Sequence, residues 1–197
     1  MISFSRTIVM PDILDHSQTA ITPLQIFADS QGRQMPELTW LTATDLPPAA
    51  FSLLVHDGPM TPTLAKHHKC KIKLQIVAQT MHDDYLERLV RLRAGSNTAR
   101  VVEAAAVVIH FQALPVDARA AVLAGIEPLG SILISRAISH LHQPRGFFAG
   151  KCDAWMADLL DGKTGEPFYG RCNRISTQQG LPVAEIVECI PGWGDVS

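Results

Sequence analysis

Cysteine is scarce and scattered in this chain. Cys70, Cys152, Cys172 and Cys189 form no CxxC pair, which argues against a zinc knuckle or a dithiol redox motif and leaves free thiols in a reducing compartment. An excess of positive charge is also missing. Seventeen Lys and Arg against nineteen Asp and Glu give a formal net charge of −2, so no basic field exists to drive nucleic-acid binding through counterion release. No apolar run reaches the roughly 18 residues that a membrane span requires. The first stretch, MISFSRTIVMPDILDH, has no basic region followed by a long apolar run and a small-residue cleavage site. These absences point to a soluble, cytoplasmic protein with neither nucleic acid nor membrane as partner. No repeat, low-complexity tract or interdomain linker interrupts the chain.

What is present suits one globular domain spanning residues 1–197: 47% of the chain is hydrophobic and 18% charged, enough to build a sizeable core. Eight histidines invite a metal hypothesis, which their spacing does not support. The adjacent His67 and His68 would point to opposite faces of a strand, and His140 and His142 would diverge on a helix, so neither pair chelates unless the chain is locally irregular or, for the second, extended. No metal is expected.

Hydrophobic period then assigns elements. Residues 1–49, punctuated by Pro11, Pro23, Pro36, Pro47 and Pro48, read as an extension of short strands or loops wrapped on a later core. AAFSLLVHDG reads as a short helix closed by Gly58 and Pro59, with HDGPMTPTLAKHH as the connection leaving it. In KIKLQIVAQ, Ile72, Leu74 and Ile76 alternate with Lys71, Lys73 and Gln75, the mark of a half-buried strand. LERLVRLRA and ARVVEAAAVVIHF form a hairpin across Gly95-Ser96-Asn97. Residues 116–126 and 128–142 carry helical patterns, the second opened by Pro128. FFAGKCDAWMADLL is mixed, and FYGRCNRIS with LPVAEIVECI makes a second hairpin about Gln178-Gln179-Gly180. Hairpins on both sides of a helical pair imply an antiparallel sheet with helices on one face, the α+β class.

Two charges stand out by strand position. Extended backbone over 86–92 puts Arg88 on the face of Leu86, Val90 and Leu92, and over 183–190 puts Glu188 with Ala184, Ile186 and Ile190. A buried charge needs a partner. Either the two pair with each other or sit at a rim, or they face an apolar cavity with a guanidinium at one end and a carboxylate at the other. The second arrangement suits a small hydroxylated carboxylate, because Arg grips a carboxylate bidentately and Glu accepts from a hydroxyl or takes a proton. Trp155 and Trp193 read as packing residues, Lys151 as solvated, and Cys172 as facing away from Arg171.

The order of DGPMTPTL (57–64), LERLVRL (86–92), EPLGSIL (127–133), FYGRCNRIS (168–176) and GLPVAEIVE (180–188) resembles that of the chorismate pyruvate-lyase family over residues 50–191. The resemblance implies a sheet of about six antiparallel strands around an enclosed ligand cavity, and no cofactor. It implies a cofactor-independent biosynthetic carbon–oxygen lyase that removes pyruvate from chorismate to give 4-hydroxybenzoate. In that reading Arg88 and Glu188 are catalytic: Arg88 anchors the ring carboxylate and Glu188 orients the hydroxyl. Met60 and Leu129 offer main-chain amides, Thr61, Gly130 and Arg171 complete the substrate contacts, and residues about Met60 form a flap over the ring. The same scaffold suits another lyase, isomerase or cyclase of a small carboxylate or polyketide-like ligand, or a noncatalytic small-molecule-binding module. Related folds serve as ligand-sensing modules of transcription regulators, and the lack of a recognisable helix-turn-helix ahead of residue 50 weighs toward the enzyme.

Overall fold

The computed structural model describes residues 19–95 and 100–192. The elements run α1 (Thr22–Ser30), β1 (Leu38–Leu41), α2 (Pro48–Leu54), α3 (Met60–His68), β2 (Ile72–Met81), β3 (Tyr85–Ala94), β4 (Arg100–His110), α4 (Val116–Ala124), α5 (Leu129–Ser135), β5 (Leu141–Lys151), α6 (Ala154–Leu159), β6 (Pro167–Ser176) and β7 (Pro182–Pro191). Ser96, Asn97 and Trp193 lie outside the described residues, as does the MISFSRTIVMPDILDH stretch.

Among the described residues seven strands join one antiparallel sheet in the order β1-β5-β6-β7-β4-β3-β2. This is the expected α+β architecture, with one strand more than the six anticipated. The extra edge strand is β1, which pairs Leu38 with Gly150 through Leu41 with Phe147. Edge and centre differ as burial requires. On the edge strand β2 half-buried Ile72, Leu74 and Ile76 alternate with exposed neighbours, whereas Val101–Ile109 of β4 is buried without a break, because both faces of the central strands are covered.

One face carries α2 with α3, and α4 with α5. Leu53, Leu54, Met60 and Leu64 pack over Leu92, Val102 and Ile190, while Val122, Ile132 and Leu133 pack over Leu86, Ile109 and Ala184. Between these two helix pairs and the sheet a cavity forms. The opposite face, which the sequence reading leaves without helices, is closed by α1 and α6, whose Leu24, Phe27, Trp155 and Met156 meet Leu89, Ala104, Cys172 and Val187. Asp153 caps α6 by accepting from the Met156 amide at 2.8 Å.

Two elements differ from the sequence reading. The helix expected over 128–142 stops at Ser135. Ala137 turns left-handed at φ 51°, and the Ile138 and Ala137 amides donate to Leu133 O (2.9 Å) and Ile134 O (3.0 Å), a Schellman closure made without the usual glycine. The chain then enters β5 at Leu141, giving the mixed stretch FFAGK a place in the sheet. The connection expected after Gly58 is itself a helix, α3, starting behind Pro59 and ending at left-handed Lys69. It forms a packed wall in place of the expected flap.

Candidate functional site

The cavity floor is built from cross-strand rows. In one row Arg88 of β3 faces Val107 of β4, Val107 faces Ile186 of β7, and Ile186 faces Asn173 of β6. The next row places Val90, Ala105, Glu188 and Arg171 in line. Pro59, Met60 and Thr61 from the start of α3 wall one side, and Pro128, Leu129, Gly130 and Ile132 from α5 the other. The space open to the centres of water molecules is about 80 Å³, several times the roughly 10–15 Å³ that one water needs. The two helix starts touch: a Cβ added at Gly130 would stand 2.8 Å from Pro59 Cβ, so only glycine allows this approach.

Arg88 is 4% exposed. Its Nη2 donates to Val122 O at 2.8 Å and its Nε to Gln79 Oε1 at 3.2 Å, both neutral acceptors. Among the described residues no carboxylate comes within ion-pair distance of it. Burial lowers its pKa, yet a guanidinium keeps its proton in proteins. Arg88 is therefore a desolvated cation at the edge of an apolar cavity, held in place by neutral groups.

Glu188 is already committed. Its Oε2 accepts from Arg171 Nε, and both side chains are buried. Arg171 also donates to main chain, Nη1 to Leu54 O and His56 O, both at 3.0 Å, and Nη2 to Gly58 O at 3.4 Å, and its Nη1 lies 3.4 Å from His56 Nε2. The sequence placed Arg171 among the ligand contacts. In the structure it is fully buried behind the wall, fastening the connection from α2 to α3, while Met60, Thr61, Arg88, Leu129, Gly130 and Glu188 all line the cavity.

Four polar or charged lining residues escaped the sequence reading: Glu103, Glu127, His142 and Asn173. Glu103 is 2% exposed, and burial, with Glu188 beside it, raises its carboxyl pKa well above the usual range. Its signal was in the sequence as the lone acid of VVEAAAVVI. Asn173 and His142 had none, because they meet only through the pairing of β5 with β6. Among the described residues no group of three or more His, Cys, Asp or Glu could hold a metal ion, and no described helix is long and apolar enough to cross a membrane.

No family model matches the sequence, and no curated protein does. Solved structures share the fold. The effector domain of PhnF from Mycobacterium smegmatis superposes with a TM-score of 0.52 at 16% identity, over 68% of this chain and 89% of that one. PhnF from the same organism gives 0.51 at 12% identity, over 86% and 94%. A GntR-family transcriptional regulator from Enterococcus faecalis gives 0.43 at 9% identity, over 60% and 93%, too loose to carry weight.

The chain thus has the chorismate lyase-like α+β fold in the form found in an effector domain. This corrects the lyase expectation. The fold that the chorismate pyruvate-lyase resemblance implied is shared with a domain named for effector function, and fold does not fix chemistry. The family resemblance itself gains no support from any family model. The site agrees with the correction: the carboxylate assigned to catalysis, Glu188, is consumed by Arg171. Lyase chemistry, chorismate as substrate and a biosynthetic role are set aside with it.

Proposed function

We propose that this chain is a noncatalytic, cytoplasmic module that binds a small organic anion in the cavity between α3 and α5, with Arg88 as the anchor. The observation that carries the reading is the buried Arg88 guanidinium, which lines the cavity with no carboxylate in ion-pair distance among the described residues. An isolated buried charge is costly, and a carboxylate in bidentate contact would offset that cost. Met60 and Thr61 shape one wall and Leu129 and Gly130 the other, and the opening amides of α3 have no intrahelical partner. The likeness to an effector domain supports binding, and not turnover, as the output. Free thiols at all four cysteines suit a reducing compartment. Residues 50–191 are proposed as the ligand-binding core, since every cavity wall comes from them, with 1–49 an extension onto it.

The test is calorimetric titration of a panel of small monocarboxylates and their uncharged amides against the native chain and Arg88→Met. Acids should bind, amides should not, and the variant should lose the acids. Each bound acid should be recovered unaltered. Equal binding of acids and amides, or acid binding that survives Arg88→Met, would remove the anion reading.

A further inference from the structure

The cavity lining carries three buried side-chain atoms without a hydrogen-bond partner among the described residues: Asn173 Oδ1, His142 Nε2 and Glu103 Oε2. Asn173 is 3% exposed, so its idle acceptor is desolvated and costs stability unless something fills it. A native fold tolerates one such atom readily. Three around one cavity indicate a surface shaped for a polar group of a ligand.

Their chemistry narrows that group. Asn173 Nδ2 lies 3.1 Å from His142 Nδ1, and with the amide donating, the ring carries its proton on Nε2. Burial first, then the charges of His140 and Arg171, hold the His142 pKa down to about 4, so the ring is neutral at neutral pH. The pair therefore offers one donor, His142 Nε2–H, beside one acceptor, Asn173 Oδ1. A hydroxyl, which both donates and accepts, answers both. A second carboxylate would confront Asn173 Oδ1 and the nearby Glu188, and an ammonium would leave the imidazole N–H unpaired.

We propose that His142 and Asn173 form a second subsite that recognises a hydroxyl at the far end of the anion held by Arg88, which makes the ligand a small hydroxy acid with an apolar spacer. This rests on the reading of Arg88 as anion anchor. The row Arg88, Val107, Ile186, Asn173 sets the scale: three strand spacings separate the end Cα atoms by roughly 14 Å. Val107 and Ile186 between them are apolar, as a hydrocarbon spacer requires. His142 and Asn173 are positioning and specificity residues here, with no chemical step assigned to them.

The experiment compares trans-4-hydroxycyclohexanecarboxylate with cyclohexanecarboxylate by calorimetry on the full chain. The native protein should prefer the hydroxy acid by at least about tenfold. Asn173→Leu and His142→Phe should each shrink that preference to about threefold or less. Arg88→Met should abolish binding of both acids. Equal affinity of the native protein for the two acids overturns the hydroxyl subsite without needing any variant to fold, and so does a preference that survives both substitutions. Binding of both acids that persists in Arg88→Met overturns the anion reading instead, so the two failures are distinguishable. Failure of the native protein to bind either acid overturns both.

Discussion

Glu188 on β7 stands directly across the ladder from Arg171 on β6, and its Oε2 accepts from Arg171 Nε in a pocket closed to water. The alignment ties to Arg171 the carboxylate that strand alternation had offered to a ligand. It leaves Arg88, on the neighbouring row, as the cation available for one.

Breaking the Arg171–Glu188 pair from either side should be costly. Arg171→Met strands a buried carboxylate and frees the 54–58 connection, and a loss of about 3–5 kcal/mol is expected, as for other broken buried pairs. The double replacement Arg171→Met/Glu188→Leu should recover a substantial part of that loss. Urea unfolding measures both, and a double variant with purely additive losses would show that the two charges do not interact.

Arg88→Met should behave in the opposite way. The guanidinium has no ionic partner to strand, so stability should stay within about 1 kcal/mol of the native value or rise, although Val122 O loses its donor. Anion binding should be lost. A fall comparable to that of Arg171→Met would mean that Arg88 is primarily structural.

Glu103 should make stability depend on pH. Its folded-state pKa lies above the unfolded value of 4.5, chiefly through burial and then through Glu188, so the folded chain keeps a proton that the unfolded chain releases. Its contribution is full below the unfolded value and is lost as pH rises through the folded pKa. Glu103→Gln, a neutral mimic, should flatten the decline in melting temperature above pH 5. An identical slope in the two proteins would refute the assignment.

The cysteines should separate by access. Cys172 is 1% exposed and burial pushes its pKa up to about 12, while Cys152 and Cys189 are also buried and Cys70 is only partly covered. A thiol reagent at pH 8 should modify Cys70 first, and the other three at the rate of unfolding. Rapid modification of Cys172 in the folded protein would contradict the packing of β6 against α1 and α6.

Legibility in the sequence followed the range of the interaction. The strand at 72–81 and the two hairpins were visible because period-two alternation and turn residues are local. The stop after Ser135 was not, since a left-handed alanine at 137 leaves no glycine to mark it. Helix α3 was hidden by Pro59 and Pro62, which read as loop residues yet fit the cap and first turn of a helix. In the site, Arg88 and Glu188 could be picked out because each breaks an apolar strand face, and the structure sets both against the cavity. Arg171 appeared by sequence to face a ligand, and only the packing of residues 54–58 against it showed where its donors go.

By itself the sequence determined the antiparallel α+β frame and the sheet face on which each charge projects, because the direction of a side chain on a strand depends on its parity alone. The tertiary structure decided which charges meet. Strand order puts β6 beside β7, so Arg171 claims Glu188, and it sets Arg88 three strands from Asn173. Pairing between residues distant in sequence depends on which strands become neighbours, and parity carries no record of that.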